Sequence, residues 1–216
     1  MDLKILYDNE AKHGFKGGWG FFCLVGDELL FDTGGDLNTL LFNMHRFPVN
    51  FSNIKEIVLS HEHRDHVGGI QVLRELGKVK VFVPKSFSNH FKRSMISHSN
   101  VTLIDVGEAM EISPRIFSTG ELGSFIKEQS LAIKTNTGLT VITGCSHPGL
   151  TNILRKASQL GEIYGVVGGF HGFRQLEVLS GMKLIVPCHC TMYKREILML
   201  YPTSSLRCSA GCVIEI

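Results

Sequence analysis

Apolar and polar positions along this chain fall into short runs broken by turn signals, and the runs predict elements in a repeating order. Residues 3–7 form an apolar strand, and residues 21–25 and 28–31 form two more, joined at the hairpin signal Gly26-Asp27. Between them lies a polar loop, residues 8–20, with the turn Lys16-Gly17-Gly18-Trp19-Gly20. Leu37, Leu40, Leu41 and Met44 keep the i, i+3, i+4, i+7 spacing of a helix over Leu37–Arg46. Strands follow at 54–59 and 78–83, the second stopped by Pro84, with helices at 70–76 and 86–94. Further strands are predicted at 101–106, 109–113 and 115–118.

The second half repeats the style. Strands at 129–135 and 139–143 meet at Asn136-Thr137-Gly138, and then come a helix at 152–160, a strand at 163–167, a helix at 174–180, a strand at 183–186 and a helix at 192–201. Each half therefore reads as strands first and helix–strand alternation after. That order predicts an α/β fold, an αββα sandwich of two mixed β-sheets with helices on the outer faces, in one domain spanning residues 1–216.

Composition narrows the class. At 216 residues the chain is long enough for one sizeable α/β domain, and 44% apolar content with 23 glycines describes a turn-rich globular protein. A formal charge of +2 with dispersed Lys and Arg leaves no electrostatic footprint for nucleic acid. No segment approaches the roughly 18 unbroken apolar residues of a membrane span, and Met1-Asp2-Leu3-Lys4 does not open a signal peptide, so a cytoplasmic location is expected. In that compartment the six cysteines are thiols by default. Cys188-x-Cys190 and Cys208-x-x-x-Cys212 lack the Cys-x-x-Cys spacing of a zinc knuckle, and Cys23, Cys208 and Cys212 read as small buried thiols.

The chemistry concentrates in His61-Glu62-His63-Arg64-Asp65-His66. Imidazole nitrogen and carboxylate oxygen are donors that zinc, iron and manganese accept. On a turning backbone His61 and His63 point to one side and can share an ion. Asp65 and His66 enter the following helix and can face a second ion about 3.5–4 Å from the first. A zincin helix is excluded, because its second histidine would fall at position 65, which is Asp65. Asp32, His61 to His66, His147, His171 and His189 each follow a predicted strand, so strand ends supply every candidate.

On Phe31-Asp32-Thr33-Gly34, the His61-x-His63-x-Asp65-His66 motif with Gly68-Gly69, and the late His189, the chain resembles the metallo-β-lactamase-fold superfamily along essentially its whole length. The resemblance implies Asp32 as a structural acid behind the metal loop, His61 and His63 at a first metal site, and Asp65, His66 and His189 at a second. Ser118-Thr119-Gly120-Glu121, Glu128-Gln129-Ser130-Leu131, Thr143 to Gly149, Gly168-Gly169-Phe170-His171 and Pro187-Cys188-His189-Cys190-Thr191 resemble one branch. That branch contains the archaeal dihydropterin-methyl-(ribofuranosyl)aminobenzene 5'-phosphate synthases and uncharacterised relatives. Two departures stand out. Thr119-Gly120-Glu121-Leu122 occupies the place of a usual histidine, and Cys145 that of the usual bridging aspartate, which makes His147 the candidate third ligand of the first site. Cys145 is either a bridging thiolate or a buried structural thiol. The stretch 121–128 is also shorter than in those synthases, and loops at that rim build the substrate pocket.

The resulting expectation is a hydrolase holding two divalent ions, Zn2+ with Fe or Mn as alternatives, that activates hydroxide against a small anionic substrate, with Asp65 among the catalytic groups. Two alternatives stand beside it. One is a transferase joining a dihydropterin diphosphate to an aryl amine, and the other a non-catalytic metal-binding or redox-sensing protein. His171, too far in sequence from the recognised ligands to be assigned to a metal, is a candidate for substrate contact or proton transfer, or a satisfied loop histidine. Arg64 and Glu121 are candidates for substrate contact, Arg64 at the rim, while Glu62 and Arg64 alternate with the ligands and point away from them. Trp19 and Phe21 are either pocket wall or core. His13, His45, His90 and His98 read as surface residues, and the outer helices leave a homodimer open.

Overall fold

Two neighbouring parallel strands explain how Asp32 comes to lie beside a histidine loop nearly thirty positions later. In the computed structural model, which describes residues 1–216, contacts divide the chain into two compact units: Met1–Gly107 with Ser209–Glu215, and Glu108–Cys208 with Ile216. The first unit begins with β1 (Asp2–Tyr7), β2 (Phe22–Val25) and β3 (Leu29–Phe31), joined antiparallel. β4 (Glu56–Val58), β5 (Val79–Pro84) and β6 (Val101–Val106) then add in parallel, with Phe31 of β3 in register with Val58 of β4. The C-terminal ends of β3 and β4 are therefore side by side, and the loops leaving them start together.

Helix α1 (Leu37–Arg46) matches its predicted bounds because both signals agree: Asp36 caps it by accepting from the Thr39 N–H at 2.8 Å, and Leu40 and Met44 fill the face that packs on the sheet. Burying such a side chain is worth about 1.5–3 kcal/mol. Sheet residues Leu6, Phe22, Leu24, Leu30, Ile57 and Val81 complete this core. Helix α2 (Arg64–Val67) is a single turn, and α3 (Asn89–Ile96) is capped by Ser88 and contributes Met95.

The second unit repeats the plan. β7 (Met110–Ser113), β8 (Ile116–Ser118), β9 (Leu131–Thr135) and β10 (Gly138–Thr143) run antiparallel, and β11 (Ile163–Gly169) and β12 (Leu184–Cys188) extend the sheet in parallel beyond β10. Helix α4 (Leu150–Ala157) buries Leu150, Ile153, Leu154 and Ala157 along one face, and α5 (Lys194–Leu200) buries Ile197. The last strand, β13 (Val213–Glu215), pairs antiparallel with β1 in the first unit's sheet.

Three expectations shift. The helices expected at 70–76 and 174–180 are 3-10 turns, Ile70–Glu75 and Leu176–Leu179. Strand β13 was not predicted, since three residues at a sheet edge with only Ile214 buried make too short a run to read. No helix is long and apolar enough to cross a membrane.

Candidate metal centre

In the first unit the motif sits where the strand register puts it. The chain leaves β4 through Leu59 and Ser60 to His61, turns at His63, and enters α2, so Asp65 and His66 ride on the helical turn. His61 and His66 are fully buried, Asp65 is half-buried and His63 is exposed. Asp32, also fully buried, has a left-handed backbone at φ 61° that aims its carboxylate across to the neighbouring loop. There Oδ1 accepts from the Ser60 N–H at 2.6 Å, while Oδ2 accepts from Ser60 Oγ at 2.8 Å and from His66 Nδ1 at 2.6 Å.

These bonds decide which nitrogens can ligate. A carboxylate only accepts, so His66 carries its proton on Nδ1 and presents Nε2 as the ligating atom. Ser60 spends its hydroxyl proton on Asp32 and receives His61 Nδ1 at 2.8 Å, which selects Nε2 of His61 in the same way. His61 Nε2 then stands 3.1 Å from His63 Nδ1. Two nitrogens on one tetrahedral zinc, each bonded at about 2.0–2.1 Å, stand about 3.3 Å apart. The pair fits one ion. Asp65 Oδ2 lies 3.8 Å from His66 Nε2, close enough for both to face a common ion.

Glycine is obligatory behind this loop. A Cβ on Gly68 would stand 2.1 Å from the Gly35 carbonyl oxygen, so no larger residue lets the helix turn seat against the Thr33–Gly35 segment. Glu62 turns away from the ligands and accepts from Ser88 at the start of α3. Arg64 is exposed and borders a different part of the surface, a cleft of about 320 Å³ that also reaches Asp65. Of the two aromatics left open, Phe21 is fully buried core, and Trp19 is 64% exposed on the wall of that cleft. His13, His45 and His90 are exposed and His98 is half-buried.

In the second unit the candidates come from three loops, which follow the parallel strands β10, β11 and β12. Cys145 Sγ lies within 4.8 Å of a ring nitrogen of His147 and, separately, of one of His189. His171, distant in sequence, has its ring 5.1 Å from that of His147, and both line a cleft of about 410 Å³ with Phe170 and Phe173. Ser146, His171 and His189 all adopt left-handed backbone, at φ 62°, 47° and 43°. Such strain persists only where surrounding bonds over-determine it. Here Ser146 Oγ donates to the Gly169 carbonyl at 2.7 Å, and the Met192 N–H donates to the His171 carbonyl at 2.9 Å. Glu121 directly precedes the short turn closed by Leu122 and Glu128, with its carboxylate 3.8 Å from Lys127 Nζ.

Glu128 is the residue the sequence reading left without a role. Its carboxylate is buried, and it accepts four consecutive backbone N–H groups: Gly144, Cys145 and Ser146 on Oε1 at 3.1, 3.0 and 3.0 Å, and His147 on Oε2 at 2.9 Å. It shapes the loop that carries Cys145 and His147. The available signal was Glu128-Gln129-Ser130, three polar residues directly ahead of an apolar strand, which here are all buried.

Two mixed sheets with helices, and histidines gathered at the ends of parallel strands, define a metallo-β-lactamase-type protein. The family model of the beta-lactamase superfamily domain matches residues 28–140, and the chain belongs to that family. Among its relatives, a 7,8-dihydropterin-6-methyl-4-(beta-D-ribofuranosyl)-aminobenzene-5'-phosphate synthase of Methanocaldococcus jannaschii is 28% identical over 251 residues, spanning 88% of this chain and 85% of its own. An uncharacterised protein of the same organism is 29% identical over 240 residues, spanning 89% and 91%. The crystal structure of a metal-dependent hydrolase of the beta-lactamase superfamily is 28% identical and superposes with a TM-score of 0.82, covering 100% of this chain and 99% of its own. A metallo-beta-lactamase fold protein from Bacillus subtilis, 13% identical with a TM-score of 0.69 over 100% and 99% of the two chains, shares the fold. The expected fold class and branch are those found.

Proposed function

We propose that this protein is a metal-dependent hydrolase in which His61, His63, Asp65 and His66 act with His147 and His189 as ligands for two divalent cations, with Cys145 and Asp32 supporting them. The observation that carries this reading is the 3.1 Å approach of His61 Nε2 to His63 Nδ1, combined with the bonds from Ser60 and Asp32 that fix the ligating nitrogens of His61 and His66. A surface turn has no use for that set of bonds. The kinship with a metal-dependent hydrolase across the full chain supports it. Bound there, divalent zinc, iron or manganese would lower the pKa of water and polarise the oxygen under attack. The chain's own contribution is orientation. Asp32 holds His66 against rotation, and Glu128 holds the backbone at His147, so that the donor atoms stand ready before a substrate arrives. His171, beside His147 in the cleft, is placed to contact a substrate bound there.

A second reading is favoured by the methanopterin-type relative, similar over 88% of this chain: a transferase joining a dihydropterin diphosphate to an aryl amine on the same ligand set. A screen of metal-reconstituted protein against phosphodiesters, thioesters, lactones, and a dihydropterin diphosphate with an aryl amine separates the two. Hydrolysis of one of the first three classes, lost in His63→Ala, is the expected result. Turnover undiminished in His63→Ala sinks the metal reading, and product formation only from the pterin pair replaces hydrolase by transferase.

A further inference from the structure

The cleft of about 320 Å³ in the first unit is bounded by Tyr7, Trp19, Gly35, Asp36, Arg64 and Asp65. Its floor is built with little slack. A Cβ on Gly18 would stand 2.5 Å from the Tyr7 hydroxyl, one on Gly20 would stand 2.5 Å from the Asp65 carbonyl oxygen, and one on Gly35 would stand 2.5 Å from the Trp19 carbonyl oxygen. The glycines on either side of Trp19 thus let its backbone press down on Tyr7 and the metal loop. The indole is left outward, 64% exposed. The exposed indole gives the cleft wall an aromatic face.

Charge in the cleft is sorted by position. Asp36 is turned inward: it accepts from the Tyr7 hydroxyl at 2.7 Å and from the Thr39 N–H at 2.8 Å. Asp65 is a candidate metal ligand. Arg64, on the rim, carries no ion pair and no side-chain hydrogen bond, so its guanidinium is the charged group in the cleft left open to a ligand. An indole face suits a flat ring, and a guanidinium suits a negative group placed away from Asp36.

We propose that this cleft is a substrate subsite for an aryl or heteroaryl group bearing an anionic substituent, its ring stacked on Trp19 and its charge paired with Arg64. This deepens the metal-hydrolase reading, resting on Asp65 as a metal ligand, because a ligand in the cleft lies beside Asp65. It narrows "small anionic substrate" to an aromatic anion.

Trp19 is the chain's single tryptophan, so its emission reports on the cleft directly. Full-length protein, as purified and after chelator treatment, is titrated with phenyl phosphate and with methyl phosphate, and metal uptake is measured separately on the same preparations. Phenyl phosphate should change the emission saturably in the chelator-treated protein and bind about tenfold tighter than methyl phosphate. Arg64→Gln, an exposed position, should weaken phenyl phosphate by about tenfold or more with an unchanged circular dichroism spectrum. Equal affinity for the two phosphates, unchanged affinity in Arg64→Gln, or no saturable change in emission overturns the subsite. Phenyl phosphate binding without any metal uptake upholds the cleft and sinks the hydrolase reading, while metal uptake without phenyl phosphate binding does the reverse.

Discussion

In the first unit a buried carboxylate, Asp32, bonds the imidazole of a candidate ligand directly, whereas in the second a buried carboxylate, Glu128, bonds four backbone N–H groups of the loop that carries one. The two units share a plan of antiparallel strands followed by parallel ones, with candidates at the parallel ends, yet they stiffen their loops at different levels. Anchoring a ring fixes its tautomer and its direction. Anchoring four N–H groups fixes the course of the chain and leaves side-chain angles to be set by what the side chains meet. The first unit should therefore lose ligation when its carboxylate is altered, and the second should lose loop order first.

The largest effect expected from breaking this contrast is in Asp32→Asn. An amide cannot accept from all three donors: with its oxygen toward His66 its NH2 opposes the Ser60 N–H, and reversed it no longer accepts from His66 Nδ1; metal affinity measured by calorimetric titration should fall about 10–100-fold. Glu128→Gln comes next. Its carbonyl oxygen can still serve the three N–H groups now on Oε1, but the NH2 group then faces the His147 N–H, leaving buried donors opposed. A loss of about 1–3 kcal/mol in thermal unfolding is expected, with a smaller change in metal affinity than Asp32→Asn shows. If the two variants exchange these signatures, the contrast between ring and backbone anchoring is wrong.

The smallest effect concerns pH. Burial, then the hydrogen bond and charge of Asp36, push the Tyr7 phenol well above its ordinary value of 10.0. Desolvation tends to raise Asp36, but the Thr39 N–H and the Tyr7 hydroxyl outweigh it and hold the carboxyl below its ordinary 3.8. Tyr7 thus stabilises the fold fully below pH 10.0, and that share is lost as pH rises toward its higher folded value. The Asp36 share is present above pH 3.8 and fades as pH falls through its lower folded value. Urea midpoints followed across pH should show a plateau between these limits, and Tyr7→Phe should remove the alkaline decline that belongs to Tyr7.

The same contrast explains what could be read from sequence. His61 to His66 was legible because its ligands are neighbours in the chain and strand–turn–helix geometry orders them locally. Helix α1 was legible because its apolar residues keep helical spacing; the Asp36 cap came from the structure. Glu128 was not, because it acts across a hairpin on residues 16 to 19 positions later through backbone groups that every sequence has. Nor was the nearness of His171 to His147, which depends on the parallel pairing of β10 with β11 and on two left-handed residues, Ser146 and His171, whose conformation no side-chain type announces. Trp19 and Phe21, two residues apart, could not be told apart until the glycine packing showed which one the backbone turns outward.

The most direct test of the central claim is metal content. Elemental analysis of protein reconstituted with zinc, iron or manganese and freed of excess should find two equivalents per chain in the wild type, with about one lost in His189→Ala. Fewer than one equivalent in the wild type, with every metal offered, would contradict a two-ion site.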